Sequence, residues 1–322
     1  MKILVTGGAG YIGSFMTKRL LDDGHSVVVL DNLVRSTKDT IDNRAEFLNG
    51  NILDKNFLKT VFNQEFDGII HFAGYISMGE SMENPGIYFE NNTFGVVNIL
   101  EELKSKKNKN IIFSSTAGVY GNPIKTPIPE DHPKTPTNPY GESKLMTERI
   151  LSWYSDIFNV NSMSLRYFNA SGAGFDGTMG ENHNPESHII PNAMHALLKQ
   201  EEFILYGDDY ATVDGTCVRD YIHVLDLVEA HMLALEKLIK NPGKYVYNVG
   251  TGKGYSNKQV LDAIKKITGK DLRVKVDSRR SGDAEELVAD ASKIKQELGF
   301  NPQYSDLETI IESAWKWHSN NS

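Results

Sequence analysis

Residues 2–13 read Lys2-Ile-Leu-Val-Thr-Gly-Gly-Ala-Gly-Tyr-Ile-Gly13, a short apolar run that ends in a glycine-rich turn. The apolar residues predict a β-strand, and the pattern from Phe15 to Leu21 predicts a helix directly after the turn. Glycines at positions 8, 10 and 13 allow a tight turn, close approach of the backbone to a ligand, and close packing of the helix. A strand, a glycine turn and a helix in this order form a binding site for the pyrophosphate of a dinucleotide.

A second apolar run, 26–30, ends at Asp31, about twenty residues further along the chain. An acidic residue at that position binds the ribose diol of NAD and repels the 2′-phosphate of NADP. Arg35 leaves NADP open as an alternative, because a nearby arginine can accommodate the phosphate. The pattern favours NAD.

Strand-like and helix-like segments continue to alternate along the first half of the chain. Strands are predicted over 46–48, 68–72, 110–113 and 162–165, and helices over 54–62, 85–104 and from Pro139 onward. Such alternation predicts an α/β fold, a Rossmann-like doubly wound parallel sheet covered by helices on both faces. Because ligands bind beyond the carboxyl ends of such strands, Asp31, Gly74 and Thr116 should converge on one crevice.

A glycine-rich polar stretch without a clear period begins after Asn169, and we expect a second domain from there. The predicted organisation is a dinucleotide-binding domain over 1–170, to which 217–250 returns, and a smaller mixed α/β substrate domain formed by 171–216 and 251–322. The run that begins at Val218 is predicted to open a helix that continues to about Leu238.

The composition limits the function and the compartment. A formal net charge of −8 argues against a nucleic-acid-binding protein, which would normally carry a basic field. Cys217 is the only cysteine, so an intrachain disulfide is excluded and a reducing cytoplasm is the simplest setting. No stretch is long and apolar enough to span a membrane, and the N-terminus lacks a signal-like region.

Tyr140 and Lys144 are four residues apart in a segment with strong helix signals. Asn138 is a good N-cap and Pro139 suits the first helical position. On a helix the two side chains would share one face, and an ammonium close to a phenol favours the phenolate. The pair is therefore a candidate base with an electrostatic partner.

The motifs occur in an order that resembles the extended short-chain dehydrogenase/reductase family, and within it the nucleotide-sugar epimerases. The resemblance covers Met1 to about Trp317. It depends on the glycine turn, Asp31, His71-Phe-Ala-Gly74, Asn91-Asn92, Ser114-Ser-Thr116, Tyr140-x-x-x-Lys144, Arg166-Tyr-Phe-Asn169, Asp214 to Asp226, and Arg280-Ser-Gly-Asp283. The last two stretches are the most specific for nucleotide-sugar epimerases.

The resemblance implies a role for each matching residue. Tyr140 is the expected catalytic base, Lys144 the residue that holds the nicotinamide ribose and lowers the tyrosine pKa, and Thr116 the hydrogen-bond partner of the reacting sugar oxygen. The implied NAD-binding residues are Gly7, Gly8, Gly10, Tyr11, Ile12, Gly13, Asp31, Asn32, Asn51, Ile52, Phe72, Ala73, Gly74, Asn91, Ser114, Tyr140, Lys144 and Tyr167. The implied residues for a UDP-sugar are Thr116, Tyr140, Asn169, His188, Arg219, Arg280, Asp283 and Leu287.

The implied activity is reversible 4-epimerisation of UDP-glucose and UDP-galactose through a transient 4-keto sugar and enzyme-bound NAD. Leu287 stands where relatives can have a bulky tyrosine, so UDP-N-acetylglucosamine is an expected further substrate. Ile76 and Asn51 replace a lysine and an aspartate near the cofactor, which suggests weaker NAD retention. The helices at 89–103 and at Tyr140 suggest a homodimer interface, although burial against the sheet explains the same pattern.

Alternatives remain at this stage. Epimerases of UDP-glucuronate or UDP-arabinose are open, and so, more distantly, is an NAD-binding regulator without turnover. Nucleotide-sugar 4,6-dehydratases are disfavoured, because that class carries an Asp-Glu pair after the threonine where this chain has Ala117 and Gly118. The His and Glu residues of 181–188 could resemble a metal cluster, but they lie in an irregular polar segment, and no metal is expected.

Overall fold

The computed structural model describes residues 1–183, 185–280 and 282–321. Strands and helices alternate along much of this part of the chain. The strands are β1 (Lys2–Thr6), β2 (Ser26–Asp31), β3 (Glu46–Asn49), β4 (Gly68–His71), β5 (Asn110–Thr116), β6 (Asn161–Tyr167), β7 (Asn169–Ser171), β8 (Glu202–Tyr206), β9 (Val218–His223), β10 (Lys244–Val249), β11 (Gly254–Ser256), β12 (Arg273–Asp277) and β13 (Glu286–Leu287). The α-helices are α1 (Tyr11–Asp22), α2 (Lys55–Val61), α3 (Met78–Glu83), α4 (Pro85–Tyr88), α5 (Gly95–Leu103), α6 (Pro139–Phe158), α7 (Ile189–Lys199), α8 (Val224–Lys240), α9 (Asn257–Thr268), α10 (Ser292–Leu298) and α11 (Leu307–Asn320).

The main sheet has seven strands in the order β10-β6-β5-β4-β1-β2-β3. β1 pairs in parallel with β2 and with β4, and the β2–β3 and β4–β5 pairs are also parallel. The strand order reverses on the two sides of β1, which is the mark of a doubly wound sheet. The predicted Rossmann-like α/β class is confirmed.

The chain divides into two compact units. The first unit contains Met1–Gly121, Lys134–Arg166 and Val228–Tyr247. The second contains Asn122–Pro133, Tyr167–Leu227 and the described residues from Asn248 onward. No helix in the described part of the chain is long and apolar enough to cross a membrane.

The core of the first unit lies between the sheet and the helices that cover it. Leu4, Val28 and Ile69 of the strands pack in one cluster with Val96 and Leu100 of α5. Each is at most 1% exposed. Full burial of such a side chain contributes about 1.5–3 kcal/mol, so these contacts hold the carboxyl ends of the strands in register.

The second unit has its own core and its own strands. α7, α9 and α11 pack together through Met194, Ile264 and Ile311, all fully buried. β9 is flanked by β11 and β13 and also pairs with β7, while β8 and β12 form a separate parallel pair. This unit is the mixed α/β portion of the fold.

The helix predicted to open at Val218 is wrong in its first six residues, because Val218–His223 is strand β9 and the helix begins at Val224. β9 pairs antiparallel with β11 and parallel with β7 and β13. Those pairings come from segments far away in sequence, so a local pattern could not reveal them. The His223 imidazole then accepts the backbone N–H of Leu225 at 3.1 Å, close to the start of α8.

The helix predicted over 85–104 is interrupted by a wider π-type turn at Phe89–Phe94, between α4 and α5. The Thr147 hydroxyl of α6 donates to the Asn92 carbonyl at 3.0 Å. The Asn92 amide in turn contacts the Tyr75 backbone and donates to the Ser143 hydroxyl. Insertion of such a side chain into the helical ladder is a recognised cause of a π-bulge.

A buried ion pair joins α6 to β6. The Arg166 guanidinium donates to both carboxylate oxygens of Glu148, at 2.9 and 2.6 Å, and also donates to the Tyr120 hydroxyl at 2.9 Å. The Arg166 and Glu148 side chains are 3% and 7% exposed, so solvent cannot replace either partner.

We expect Glu148→Ala to lower the free energy of unfolding by about 3–5 kcal/mol, because it leaves a buried guanidinium without its counter-ion. Glu236→Ala is the matched control, since Glu236 pairs with Lys240 on the exposed face of α8 and should cost less than about 1 kcal/mol. Urea unfolding followed by circular dichroism measures both. Equal losses in the two variants would contradict the assigned role of Glu148.

Candidate active site

The glycine-rich turn between β1 and α1 has no room for side chains at two positions. A Cβ on Gly7, where φ is +72°, would lie 2.5 Å from the Ala73 backbone nitrogen. A Cβ on Gly13 would lie 2.2 Å from the Gly7 carbonyl oxygen. The backbone therefore crosses very close to itself, and the N-terminus of the twelve-residue α1 stays open toward the turn. Helix N-termini of this kind bind anionic groups.

Asp31 lies at the end of β2 beside this turn. Its carboxylate accepts the backbone N–H groups of Ala9 at 3.0 Å and Leu33 at 2.9 Å, and the Ser36 hydroxyl at 3.0 Å. These bonds hold the carboxylate where it can bind a diol. The Arg35 guanidinium donates to Glu80 and stacks on Tyr75.

The predicted residues around the ends of β3 and β4 lie in the same unit. Phe72 packs on the His231 ring at 4.9 Å, and a Cβ on Gly74 would lie 3.3 Å from the Lys144 Nζ. Ile52 is buried and its carbonyl accepts the Asn98 amide, while the exposed Asn51 caps a local turn. Gly7 touches Ala73, and Gly74 approaches Lys144, so the turn and the Lys144 ammonium belong to one continuous site.

Other predicted cofactor residues also have defined positions in this unit. Asn91 is buried and its amide donates to the Asn92 side chain. Tyr11 begins α1 and packs edge-on against Phe15. Asn32 follows β2, where its side chain accepts the Val34 N–H at 3.1 Å.

α6 presents Tyr140 and Lys144 as the sequence predicts. Asn138 caps the helix by accepting the Gly141 N–H at 2.9 Å, and Pro139 occupies the first helical position. The Lys144 ammonium is 2% exposed and donates to the Ser114 carbonyl at 2.9 Å. Burial lowers the pKa of Lys144 to about 8.

The tyrosine pKa differs from expectation. Burial raises the pKa of the Tyr140 phenol, and the hydrogen bond with Thr116 opposes that rise without cancelling it. The prediction that Lys144 lowers the pKa of Tyr140 is therefore wrong for the protein without a bound cofactor. The reason is that removal from water penalises the phenolate by more than the interaction with the Thr116 hydroxyl favours it.

Glu148 continues the face of α6 that carries Tyr140 and Lys144, since the three are spaced by four residues. Besides Arg166, its carboxylate accepts the Ser115 hydroxyl at 2.5 Å. Ser115 precedes Thr116, so Glu148 fixes the end of β5 against α6 beside the phenol. Glu148 is not among the residues predicted from the sequence, although its position one turn beyond Lys144 is a usable signal.

His71 shares this environment. Its Nδ1 lies 2.7 Å from the Thr6 hydroxyl, and its ring stacks on Phe113. Burial and the nearby Lys144 ammonium lower the pKa of His71 to about 3. The imidazole is therefore neutral at physiological pH.

The second unit gathers several residues that were predicted to bind a nucleotide sugar. Arg219 on β9 lies 3.9 Å from the Asp283 carboxylate and opposite Leu287 of β13 in the strand register. Asn169 on β7 pairs with Tyr221 of the same β9 strand. Four predicted residues thus lie on or beside one strand.

The remaining predicted residues of this unit also have defined positions. Arg280 stacks on the Tyr206 ring at 4.0 Å, whereas the neighbouring Arg279 binds the Asp209 carboxylate. His188 is the N-cap residue of α7. Tyr167 is 9% exposed at the end of β6.

Comparison with known proteins gives a consistent result. A family model described as GDP-mannose 4,6 dehydratase matches residues 4–313. A protein of Lacticaseibacillus casei named UDP-glucose 4-epimerase is 47% identical over 322 residues, which cover 99% of this chain and 97% of that relative.

Two solved structures extend the similarity. The UDP-glucose 4-epimerase of Bifidobacterium longum in complex with NAD+ and UDP is 36% identical, with a TM-score of 0.95 over 100% of this chain and 99% of that one. The UDP-Glc/GlcNAc 4-epimerase of Campylobacter jejuni is 40% identical, with a TM-score of 0.85 over 99% of each chain.

The lowered pKa of Lys144 predicts a pH-dependent effect of its removal. Burial penalises the ammonium fully below about pH 8 and no longer does so above the ordinary value of 10.5. Lys144→Met removes this penalty. The change in the free energy of unfolding that it causes should therefore be more favourable at pH 7 than at pH 10, by up to about 3 kcal/mol. The variant also loses the hydrogen bond to the Ser114 carbonyl. That loss changes the stability equally at pH 7 and at pH 10, so the difference between the two pH values remains.

Thermal unfolding of protein freed of small molecules at the two pH values measures the difference. Lys240→Met on the surface of α8 is the control, and its effect on thermal stability should be the same at pH 7 and at pH 10. An identical response of Lys144→Met at pH 7 and pH 10 would show that its ammonium is not penalised.

Proposed function

Since this chain belongs to the UDP-glucose 4-epimerase family, within the extended short-chain dehydrogenases/reductases, we propose that it interconverts UDP-glucose and UDP-galactose by inversion at C4. It acts as an isomerase with NAD as its cofactor. The observation that carries the proposal is the placement of Tyr140 and the buried Lys144 on one face of α6, with Thr116 near the phenol. A half-buried phenol with a hydroxyl group nearby is suited to passing one proton out and one back.

The first unit fits a dinucleotide. The close crossing of Gly7 and Gly13 leaves backbone open at the start of α1, and Asp31 is held beside it for a ribose diol. The pairing of Arg35 with Glu80 supports NAD over its phosphorylated form, because the guanidinium already has a carboxylate partner. We assign to NAD the residues that the family resemblance implies for it.

The chemistry of the site follows from the groups around Tyr140. NAD, when bound, supplies a cationic nicotinamide ring that accepts hydride from C4 of the sugar and returns it. Tyr140 takes the proton of the 4-hydroxyl, so that a 4-keto sugar forms transiently, and returns it after the sugar has turned over. A positive charge near the phenol lowers its pKa and offsets the rise caused by burial. Thr116 stabilises the phenolate and the reacting oxygen by hydrogen bonding, and Lys144 holds the ribose.

Water elimination of the kind implied by the name of the matching family model needs an acid and a base next to the threonine. Those positions hold Ala117 and Gly118, neither of which can transfer a proton. The Gly118 N–H donates to the Thr116 hydroxyl, and a Cβ on Gly141 would lie 2.6 Å from the Gly118 carbonyl oxygen. The lack of an acid and a base at these two positions favours epimerisation over dehydration.

The second unit is assigned to the UDP group. Arg219 and Arg280 are suited to the diphosphate because a guanidinium can bond two oxygens at once. Asp283 is assigned to the uridine ribose, while Asn169 and His188 are assigned to further substrate contacts. The Bifidobacterium longum relative, which was crystallised with UDP, supports this choice of ligand.

Leu287 bears on the range of sugars. It is a half-buried residue of β13 beside Arg219, and its side chain is smaller than the tyrosine of some relatives. We assign activity on UDP-N-acetylglucosamine to this smaller side chain. The name of the Campylobacter jejuni relative, which includes GlcNAc, supports the assignment. UDP-glucuronate and UDP-arabinose are the alternative substrates to exclude.

A homodimer in the cytoplasm completes the proposal. Phe94, Trp153 and Ile157 are each at least 60% exposed next to or on α5 and α6, and a second copy could cover them. Cys217, the sole cysteine, is buried and free, as suits a reducing compartment. Ile76, which is 38% exposed, and Asn51 support weaker retention of NAD than in relatives with charged residues there.

The central test gives the purified protein UDP-galactose without added NAD and follows UDP-glucose by NMR. We expect conversion, and we expect Tyr140→Phe to lower kcat by about a thousandfold while bound NAD is retained. Tyr245→Phe is the matched control, because that hydroxyl contacts the Asn241 carbonyl on the surface.

No product, even after NAD is added, would defeat the epimerase assignment. Unchanged function in Tyr140→Phe would favour an NAD-binding regulator instead. The same assay with UDP-glucuronate and UDP-arabinose tests the other sugars.

Leu287→Tyr should remove conversion of UDP-N-acetylgalactosamine while leaving UDP-galactose within about threefold, because added bulk discriminates by size. Leu287→Met keeps a similar volume and should retain both activities. The ratio of kcat/KM for the two substrates measures the effect. The idea fails if wild-type protein active on UDP-galactose does not convert the acetylated sugar.

A further inference from the structure

Four side chains of the second unit converge in the segment that leads into α7. They are Glu181, His183, Glu186 and His188, and their ligand atoms all lie within 4.8 Å of one another. From the sequence no metal is expected here, because the segment is irregular. Folding nevertheless places two imidazoles and two carboxylates together, a donor set that suits zinc.

The charge balance of the cluster requires positive charge. The Glu181 and Glu186 side chains are only 4% and 6% exposed, and buried carboxylates are costly unless they are paired. Their ion pairs, within the described ranges, are with His183 and His188. The two carboxylates carry two negative charges. Either two imidazolium ions, or one divalent metal ion with two neutral imidazoles, would balance them.

The distances fit one small ion. Zinc bonds of about 2.0–2.2 Å in a tetrahedron place neighbouring ligand atoms about 3.4 Å apart. The His183 Nδ1 lies 3.1 Å from a Glu181 oxygen and 3.8 Å from a Glu186 oxygen, and the His188 Nδ1 lies 4.0 Å from the other Glu186 oxygen. These separations bracket the tetrahedral value. The His188 Nδ1 is also hydrogen-bonded directly to a Glu181 oxygen, and a bound ion would replace that bond.

The ligands are supported from behind. One Glu186 oxygen accepts the backbone N–H groups of Ser187 at 2.7 Å and His188 at 2.9 Å. The Trp317 indole donates to the Glu181 carbonyl at 3.3 Å and packs on Gly180, where a Cβ would lie 2.3 Å from the ring. Bonds of this kind, which orient metal ligands, are typical of metal sites.

We propose that Glu181, His183, Glu186 and His188 bind one zinc ion, which fastens this segment to the start of α7. With Nδ1 of His188 on the metal, Nε2 carries the proton and is a hydrogen-bond donor. The His188 side chain is 40% exposed, so that donor can reach a ligand in solution.

The test uses the full chain, treated with a chelator, exchanged into clean buffer and then given zinc chloride. We expect one zinc per chain after gel filtration, measured by inductively coupled plasma mass spectrometry, and a higher melting temperature. Cobalt(II) in place of zinc should give the intense visible absorption of a tetrahedral N/O site, whereas magnesium should not shift the melting temperature.

His183→Asn and Glu186→Gln should each abolish retained zinc. His195→Asn is the control, because His195 lies on α7 and packs on His318 outside the cluster. Circular dichroism establishes that the variants fold. The cobalt spectrum of the wild-type chain tests the site even if a variant does not fold. Failure of the wild-type chain to retain zinc, a cobalt spectrum like that of the free ion, or equal zinc in His183→Asn would overturn the proposal.

Discussion

The carboxylate of Glu148 is the group on which the geometry of the first unit depends. It accepts hydrogen bonds from Ser115 at the end of β5 and from Arg166 on β6, and it belongs to α6. A buried carboxylate is tolerated only when its lone pairs are satisfied, so these three elements cannot move apart without a large cost. Thr116 follows Ser115, and Lys144 precedes Glu148 by one turn. The residues of the site are therefore held by a group that does not react.

The same burial sets the protonation of the site. Removal from water raises the pKa of Tyr140 and lowers those of Lys144 and His71, since in each case the charged form is disfavoured. Without a cofactor, the protein therefore holds a neutral phenol at Tyr140, a neutral imidazole at His71, and an ammonium at Lys144 that gives up its proton more readily than an exposed lysine does. On the proposed role of Tyr140 as the base, a cationic cofactor would lower the pKa of the phenol and so couple proton transfer there to the presence of NAD. Such coupling suits a reaction in which hydride and proton leave and return together.

Much of the fold could be predicted because its signals are local. The apolar runs of β1 and β2, the glycine turn, and the cap at Asn138 each specify structure within a few residues. The errors have a common physical origin. The local pattern predicts a helix where strand β9 lies, because the pairing partners of β9 are far away in sequence, and the π-turn at Phe89–Phe94 depends on the Thr147 hydroxyl of another helix. No local pattern carries that information.

The sequence by itself determined the chemistry: which residue can be the base, which carboxylate can bind a ribose, and, through Ala117 and Gly118, that no acid and base follow the threonine. Those facts depend on residue types and on spacing along one strand or helix. Tertiary structure decided the electrostatic environment of these residues and which distant residues come together. It buried Lys144, half-buried Tyr140, paired Glu148 with Arg166, and gathered the histidines and glutamates of 181–188. Burial and long-range contact arise only when distant segments pack, because both measure what surrounds a group in space.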